Sequence, residues 1–153
     1  MSRVNGFDVS ILGDAALTKV FQGLERKVAG KVLRPALRVA AKRIRDVARA
    51  NAAPGLTGAT SEHIRVKGSS KKGRLAVQVV TGSREDMGIP PEAKYYYPSA
   101  VELGTEHMEA QPFLRPALDA NRAAALGMIR SEAWRRLELL GLGRDPGGEG
   151  SDA

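Results

Sequence analysis

Gln111-Pro112-Phe113-Leu114-Arg115-Pro116-Ala117-Leu118 follows shortly after Val101-Glu102-Leu103-Gly104-Thr105. Each proline fixes φ and lacks an N–H, so Pro112 and Pro116 suit the start or first turn of a helix and not its middle. That pins Phe113 and Leu114 at the head of the apolar-periodic run behind them and predicts a long C-terminal helix from Pro112 or Pro116 to Leu140. Leu118, Ala125, Leu126, Ile129, Ala133, Leu137 and Leu140 form its broad apolar stripe. Trp134 falls about 120° from the centre of that stripe at 100° per residue, so another part of the chain or a neighbouring molecule must cover it.

Working back from this stretch, Gly104 reads as the left-handed cap of a short helix through Val101, itself preceded by an extended segment at Tyr95-Tyr96-Tyr97. His63-Ile64-Arg65-Val66-Lys67 and Arg74-Leu75-Ala76-Val77-Gln78-Val79 alternate like half-buried strands. They predict an antiparallel hairpin with a mobile basic loop between them. Residues 81–94, with Gly82, Gly88, Pro90 and Pro91, read as a long loop that orders only against a partner. Nearer the start, Leu17, Val20, Phe21 and Leu24 recur at helical spacing after Asp14, a suitable N-cap. Gly30 and Pro35 predict a break or kink, followed by a helix from about Leu33 to Asn51. On it, Leu33, Leu37, Ala40, Ile44 and Val47 share a narrow arc, while Lys31, Arg34, Arg38, Lys42, Arg45 and Arg49 take the opposite side.

The expected fold class is therefore α+β, a small antiparallel sheet packed against a basic amphipathic helix and a long C-terminal helix. The 153 residues suit one domain, here 14–140, with an arm at 1–13 and a disordered, glycine-rich tail at 141–153. No run approaches the roughly 18 apolar residues that span a bilayer, and the start lacks the profile of a secretory signal. The expectation is a soluble protein made in the cytoplasm. Absent cysteine removes disulfide and thiolate chemistry.

The net charge of +7 is unevenly spread: residues 19–51 carry ten Lys and Arg against Glu25 and Asp46, whereas residues 95–153 carry six Arg against nine acids. Opposed patches suit either a solvated surface or the register of a subunit that contacts copies of itself. A row of Lys and Arg on one helix face also suits phosphate contacts, although nothing beside it reads bases. Glu102, Glu106, His107 and Glu109 form the one cluster with catalytic residue types. It lacks the second imidazole of a zinc helix and straddles a glycine, so neither a catalytic site nor a metal or cofactor site is expected. Glu102 either accepts hydrogen bonds from the Gly104-Thr105 turn or forms an ion pair between subunits.

Val-Glu-x-Gly-Thr at 101–105 and Gln-Pro-Phe-Leu-Arg-Pro-Ala-Leu at 111–118, together with Pro54 and Thr57-Gly58 upstream, resemble the signature of the tail-completion proteins of long-tailed bacteriophages. The resemblance covers residues 28 to 140. Leu103 stands where that family usually carries an aromatic, and Thr60 where it carries Leu. The resemblance implies a non-enzymatic virion protein of the neck, in which several copies, typically six, form a ring around the DNA passage. That ring joins the head-completion (stopper) protein to the tail terminator protein. The subunit contacts implied are Tyr95, Tyr96, Tyr97, Glu102, Phe113, Leu114, Arg115 and Trp134. The side facing double-stranded DNA is Arg34, Arg38, Lys42, Arg45 and Arg49, with no membrane partner. The alternative is a small basic protein that binds DNA without sequence preference.

Overall fold

A computed structural model describes residues 15–52, 59–71, 74–93 and 97–146. In chain order the elements are α1 (Ala15–Gln22), α2 (Arg26–Asn51), α3 (Ala59–Glu62), β1 (Arg65–Lys71), β2 (Arg74–Val80), α4 (Tyr97–Leu103) and α5 (Leu114–Leu139). The fold is α+β, with a two-stranded sheet accompanied by two helices of 26 residues each. Only Lys72 and Gly73 separate the strands in sequence, a connection too short for anything but an antiparallel pair. The N-terminal arm 1–13, the Pro54 and Thr57-Gly58 junction, Tyr95, Tyr96 and the end of the tail lie outside the described residues.

The chain forms two compact units, each with its own core. The first takes Met1–Ala40, Gly68–Val77 and Leu126–Ala153. Leu17 and Phe21 of α1 pack there with Ala29, Val32, Leu33 and Ala36 of α2 and with Ala133, Trp134 and Leu137 of α5. The second takes Ala41–Lys67 and Gln78–Ala125, around Ala48, Ile64, Val101, Phe113 and Ala117. A two-stranded hairpin is not stable alone. Leu75 of β2 docks on the first core and Val79 on the second.

Four expectations are corrected. α2 does not break at Gly30 or Pro35 but runs through both. Pro35 forfeits one helical hydrogen bond, worth roughly 3 kcal/mol with the ring clash. Buried Val32 and Leu33 before it and Ala36 after it hold the helix together through packing. β1 extends to Lys71, so most of the expected basic loop is strand. The segment after β2 carries its own ties: Asp86 accepts from the Ser83 N–H at 2.9 Å and pairs with Arg65 at 2.6 Å, and Arg84 donates to the Ala93 carbonyl at 2.7 Å. Finally, Tyr97 opens α4 and does not end a strand.

On α5 the buried positions fall at multiples of four residues, at Ala117, Ala125, Ala133 and Leu137 with Asn121 and Ile129 half-buried between them, and Trp134 joins them at 4% exposure. Leu118, Leu126 and Leu140, expected inside, are exposed. Gly141, at φ +68°, ends the helix, and the Leu142 N–H returns to the Leu137 carbonyl at 2.9 Å. Of the tail expected to be disordered, the described residues 142–146 include ties to the rest of the chain, and 147–153 lie outside the described residues. Gly143 lies against the Trp134 ring, where an added Cβ would come within 3.3 Å, and Asp145 pairs with Arg130 at 2.9 Å.

Thr60 is 2% exposed, and its hydroxyl has no hydrogen-bond partner. A buried hydroxyl without a partner keeps its desolvation cost uncompensated. Thr60→Val, which keeps the branched shape and removes the oxygen, is expected to raise stability by about 1 kcal/mol in urea unfolding.

Candidate functional site

The first four N–H groups of a helix have no partner inside it. For α5 these belong to Phe113, Leu114, Arg115 and position 116, and proline at 116 removes the last of them. The other three point at one carboxylate: Glu102 accepts from the N–H groups of Phe113 at 2.8 Å, Leu114 at 3.0 Å and Arg115 at 2.9 Å. The negative charge also sits where the helix dipole favours it. Burial opposes that charge, but the three backbone donors and the nearby Arg115 outweigh it and hold the carboxyl below its usual range.

Glu102 reaches this place because α4 stops abruptly. Gly104, at φ +77°, caps α4 by donating its N–H to the Ala100 carbonyl at 2.8 Å. Thr105 and Met108 then pair across Glu106-His107, and the Gln111 N–H returns to the Val101 carbonyl at 2.8 Å. A Cβ at 104 would lie 2.9 Å from the Ala110 nitrogen and 3.1 Å from the Met108 oxygen. Backbone blocks it on both sides and the φ is unfavourable as well. Gly104→Ala is therefore expected to cost roughly 1–2 kcal/mol, read as a lowered denaturation midpoint.

The two motifs thus form one clamp, and the expected contact residues are redistributed. Glu102 bonds to the start of α5 and not to the Gly104-Thr105 turn. Phe113 is 1% exposed in the second core, with Leu114 half-buried against it, because the clamp turns both inward. Trp134 is covered inside the first unit by its own chain. Arg115 remains exposed, and the side chain of Tyr97, like Tyr95 and Tyr96, lies outside the described residues. Glu106, His107 and Glu109 sit on the exposed turn and do not converge with Glu102. Among the described residues no group of three His, Cys, Asp or Glu is placed to hold a metal ion.

The basic row of α2 divides in the same way. Arg49 donates to the Ile64 carbonyl at 2.7 and 3.0 Å, while its own carbonyl accepts from the Ser61 hydroxyl at 3.1 Å, so it braces α3. Arg45 is paired with Asp46 at 2.8 Å. Arg34, Arg38 and Lys42 stay exposed. Arg26, Lys27 and Lys31 continue the row toward the start of α2, and with Arg34 they line an open cleft of ≈ 660 Å³ in the first unit. Gly30 and Pro35 form its small floor, and Ser70 and Leu75 of the hairpin line it as well. Arg26 and Lys27 are absent from the row expected on the helix face because Gly30 and Pro35 predict a break ahead of a helix that starts near Leu33.

Searches with family models, among curated proteins and among solved structures find no match to this chain. Among the described residues no helix is long and apolar enough to cross a membrane.

Proposed function

We propose that this chain is a structural subunit of a bacteriophage neck, forming a ring that joins the head-completion complex to the tail terminator and tail tube around the DNA passage. The observation that carries the reading is the clamp. The two stretches that resemble the tail-completion signature are bound into one feature by Glu102, so their joint occurrence has a structural cause. The role is non-enzymatic, and its partners are further copies of itself, most simply six, with the stopper and terminator proteins on either side.

A closed ring needs two different faces of each subunit to meet. With Phe113 and Trp134 inside, the apolar anchors fall to residues that the fold leaves outside. Leu103 is 72% exposed at the position where the resembled family carries an aromatic, and Leu139 is equally exposed at the end of α5. Native mass spectrometry of the purified chain, with electron microscopy of particles that carry it, tests the reading. A closed oligomer located between head and tail is the expected result, and a chain missing from the particles overturns it. The second reading, a free-standing DNA-binding protein, is favoured by the cationic cleft. It predicts instead a monomer that binds duplex and never enters particles.

A further inference from the structure

We infer that the cleft lined by the first half of α2 and the β1–β2 hairpin is a track for the phosphodiester backbone of double-stranded nucleic acid, gripped without regard to sequence. The first observation is segregation of charge. Several arginines elsewhere are matched with acids: Arg45 with Asp46, Arg65 with Asp86, Arg130 with Asp145, and Arg135 and Arg136 with Glu132, whereas Arg43, Arg115 and Arg122 stand exposed and singly. Arg26, Lys27, Lys31, Arg34 and Arg38 have no ion pair among the described residues, and no carboxylate lines the cleft.

The placement also works against the helix. Arg26 and Lys27 stand in the first turn of α2, where the dipole disfavours cations and the nearest acid is Glu25 just before the helix. Lys27 with Lys31, and Arg34 with Arg38, are like-charge neighbours four residues apart, a spacing that weakens a helix. A bound polyanion removes both penalties. From Lys27 to Arg38 the row covers about 16 Å of axis, close to five phosphates of one strand at about 3.4 Å each.

The second observation is room. Nothing lies within 4 Å of a Cβ built on Gly30 at the cleft floor, and the Arg38 guanidinium rests over Gly68 of β1, where a side chain would press on it at 3.3 Å. Ser70 contributes a hydroxyl suited to a phosphate oxygen. No Asn or Gln lines the cleft to read adenine edges, and a grip made through phosphates is indifferent to sequence.

The inference rests on the neck reading for the source of the duplex, and its test uses the purified full chain alone. Affinity for two unrelated duplexes of about 25 base pairs is followed by fluorescence anisotropy from about 50 to about 200 mM salt. Equal affinities are expected, with log K falling against log salt at a slope of about −4 to −5. The double variant Lys31→Gln/Arg34→Gln is expected to reduce the slope by about 2 while melting no lower than the parent. Arg122→Gln, removing an exposed cation of α5, should leave the slope in place. Gly30→Glu puts a carboxylate in the open floor and should abolish binding with the fold intact. An unchanged slope in the double variant overturns the track, as does binding of poly-glutamate as tight as that of the duplex. A chain missing from particles but binding duplex this way overturns the neck reading alone. A ring in particles with no duplex affinity overturns the track alone.

Discussion

Trp134→Ala and Phe113→Ala are each expected to lower the stability of the isolated chain by about 3–5 kcal/mol, the usual cost of removing a large buried aromatic. Trp134 is 4% exposed among Leu17, Phe21, Val32 and Leu137, and Phe113 is 1% exposed beside Ala48, Ile64 and Val101. The two losses fall on different cores and should be separable by hydrogen exchange. Trp134→Ala should deprotect α1 and the first half of α2, and Phe113→Ala should deprotect α4 and the last turns of α2. Any assembly defect in either variant then follows from a weakened monomer. A Trp134→Ala chain that melts like the parent would show that its ring belongs to a contact outside the chain.

That expectation reverses the sequence-based placement of Trp134, and the cause lies in α5 itself. Buried positions four residues apart advance by about 40° per step at 100° per residue, so from Ala117 to Leu137 the buried row winds around the helix. The first part of that row serves the second core and the last part the first core. One averaged arc cannot represent both. Averaging put Leu118, Leu126 and Leu140 inside and Trp134 outside, the reverse of what packing selects.

Features carried by local chemistry were legible. Gly104 was read as a left-handed cap and is one; the hairpin and the α+β class followed from alternation. What stayed hidden depends on distant partners. Pro35 signals a break when read alone, and only the apolar contacts on both sides of it carry α2 through. Gly143 and Asp145 sit in a glycine-rich stretch whose one large apolar residue among those described, Leu142, is exposed. Their docking rests on the flat face of Trp134 and on Arg130. For the basic row, composition counted cations but could not tell which were already engaged. Arg49 bracing Ile64 and Arg34 facing open space look alike in sequence.

Glu102→Ala is expected to cost roughly 2–3 kcal/mol at neutral pH, because three backbone donors at the start of α5 lose a charged acceptor and water replaces it imperfectly. Glu102→Gln keeps one acceptor oxygen and should lose less. The carboxyl is held below its usual value of 4.5, so its contribution is fully present above that value and disappears as pH falls through the lower folded-state value. Protonated Glu102 then resembles Gln, and the gap between parent and Glu102→Gln should narrow steadily below pH 4.5. Glu132, lowered to about 2 chiefly by its hydrogen bond to Arg135, is retained in both proteins. Its own acid loss therefore cancels in the comparison. Urea midpoints for the pair at neutral pH and in acid give the answer. A gap that stays constant into acid would mean that Glu102 acts through its shape and packing, with no part for its charge.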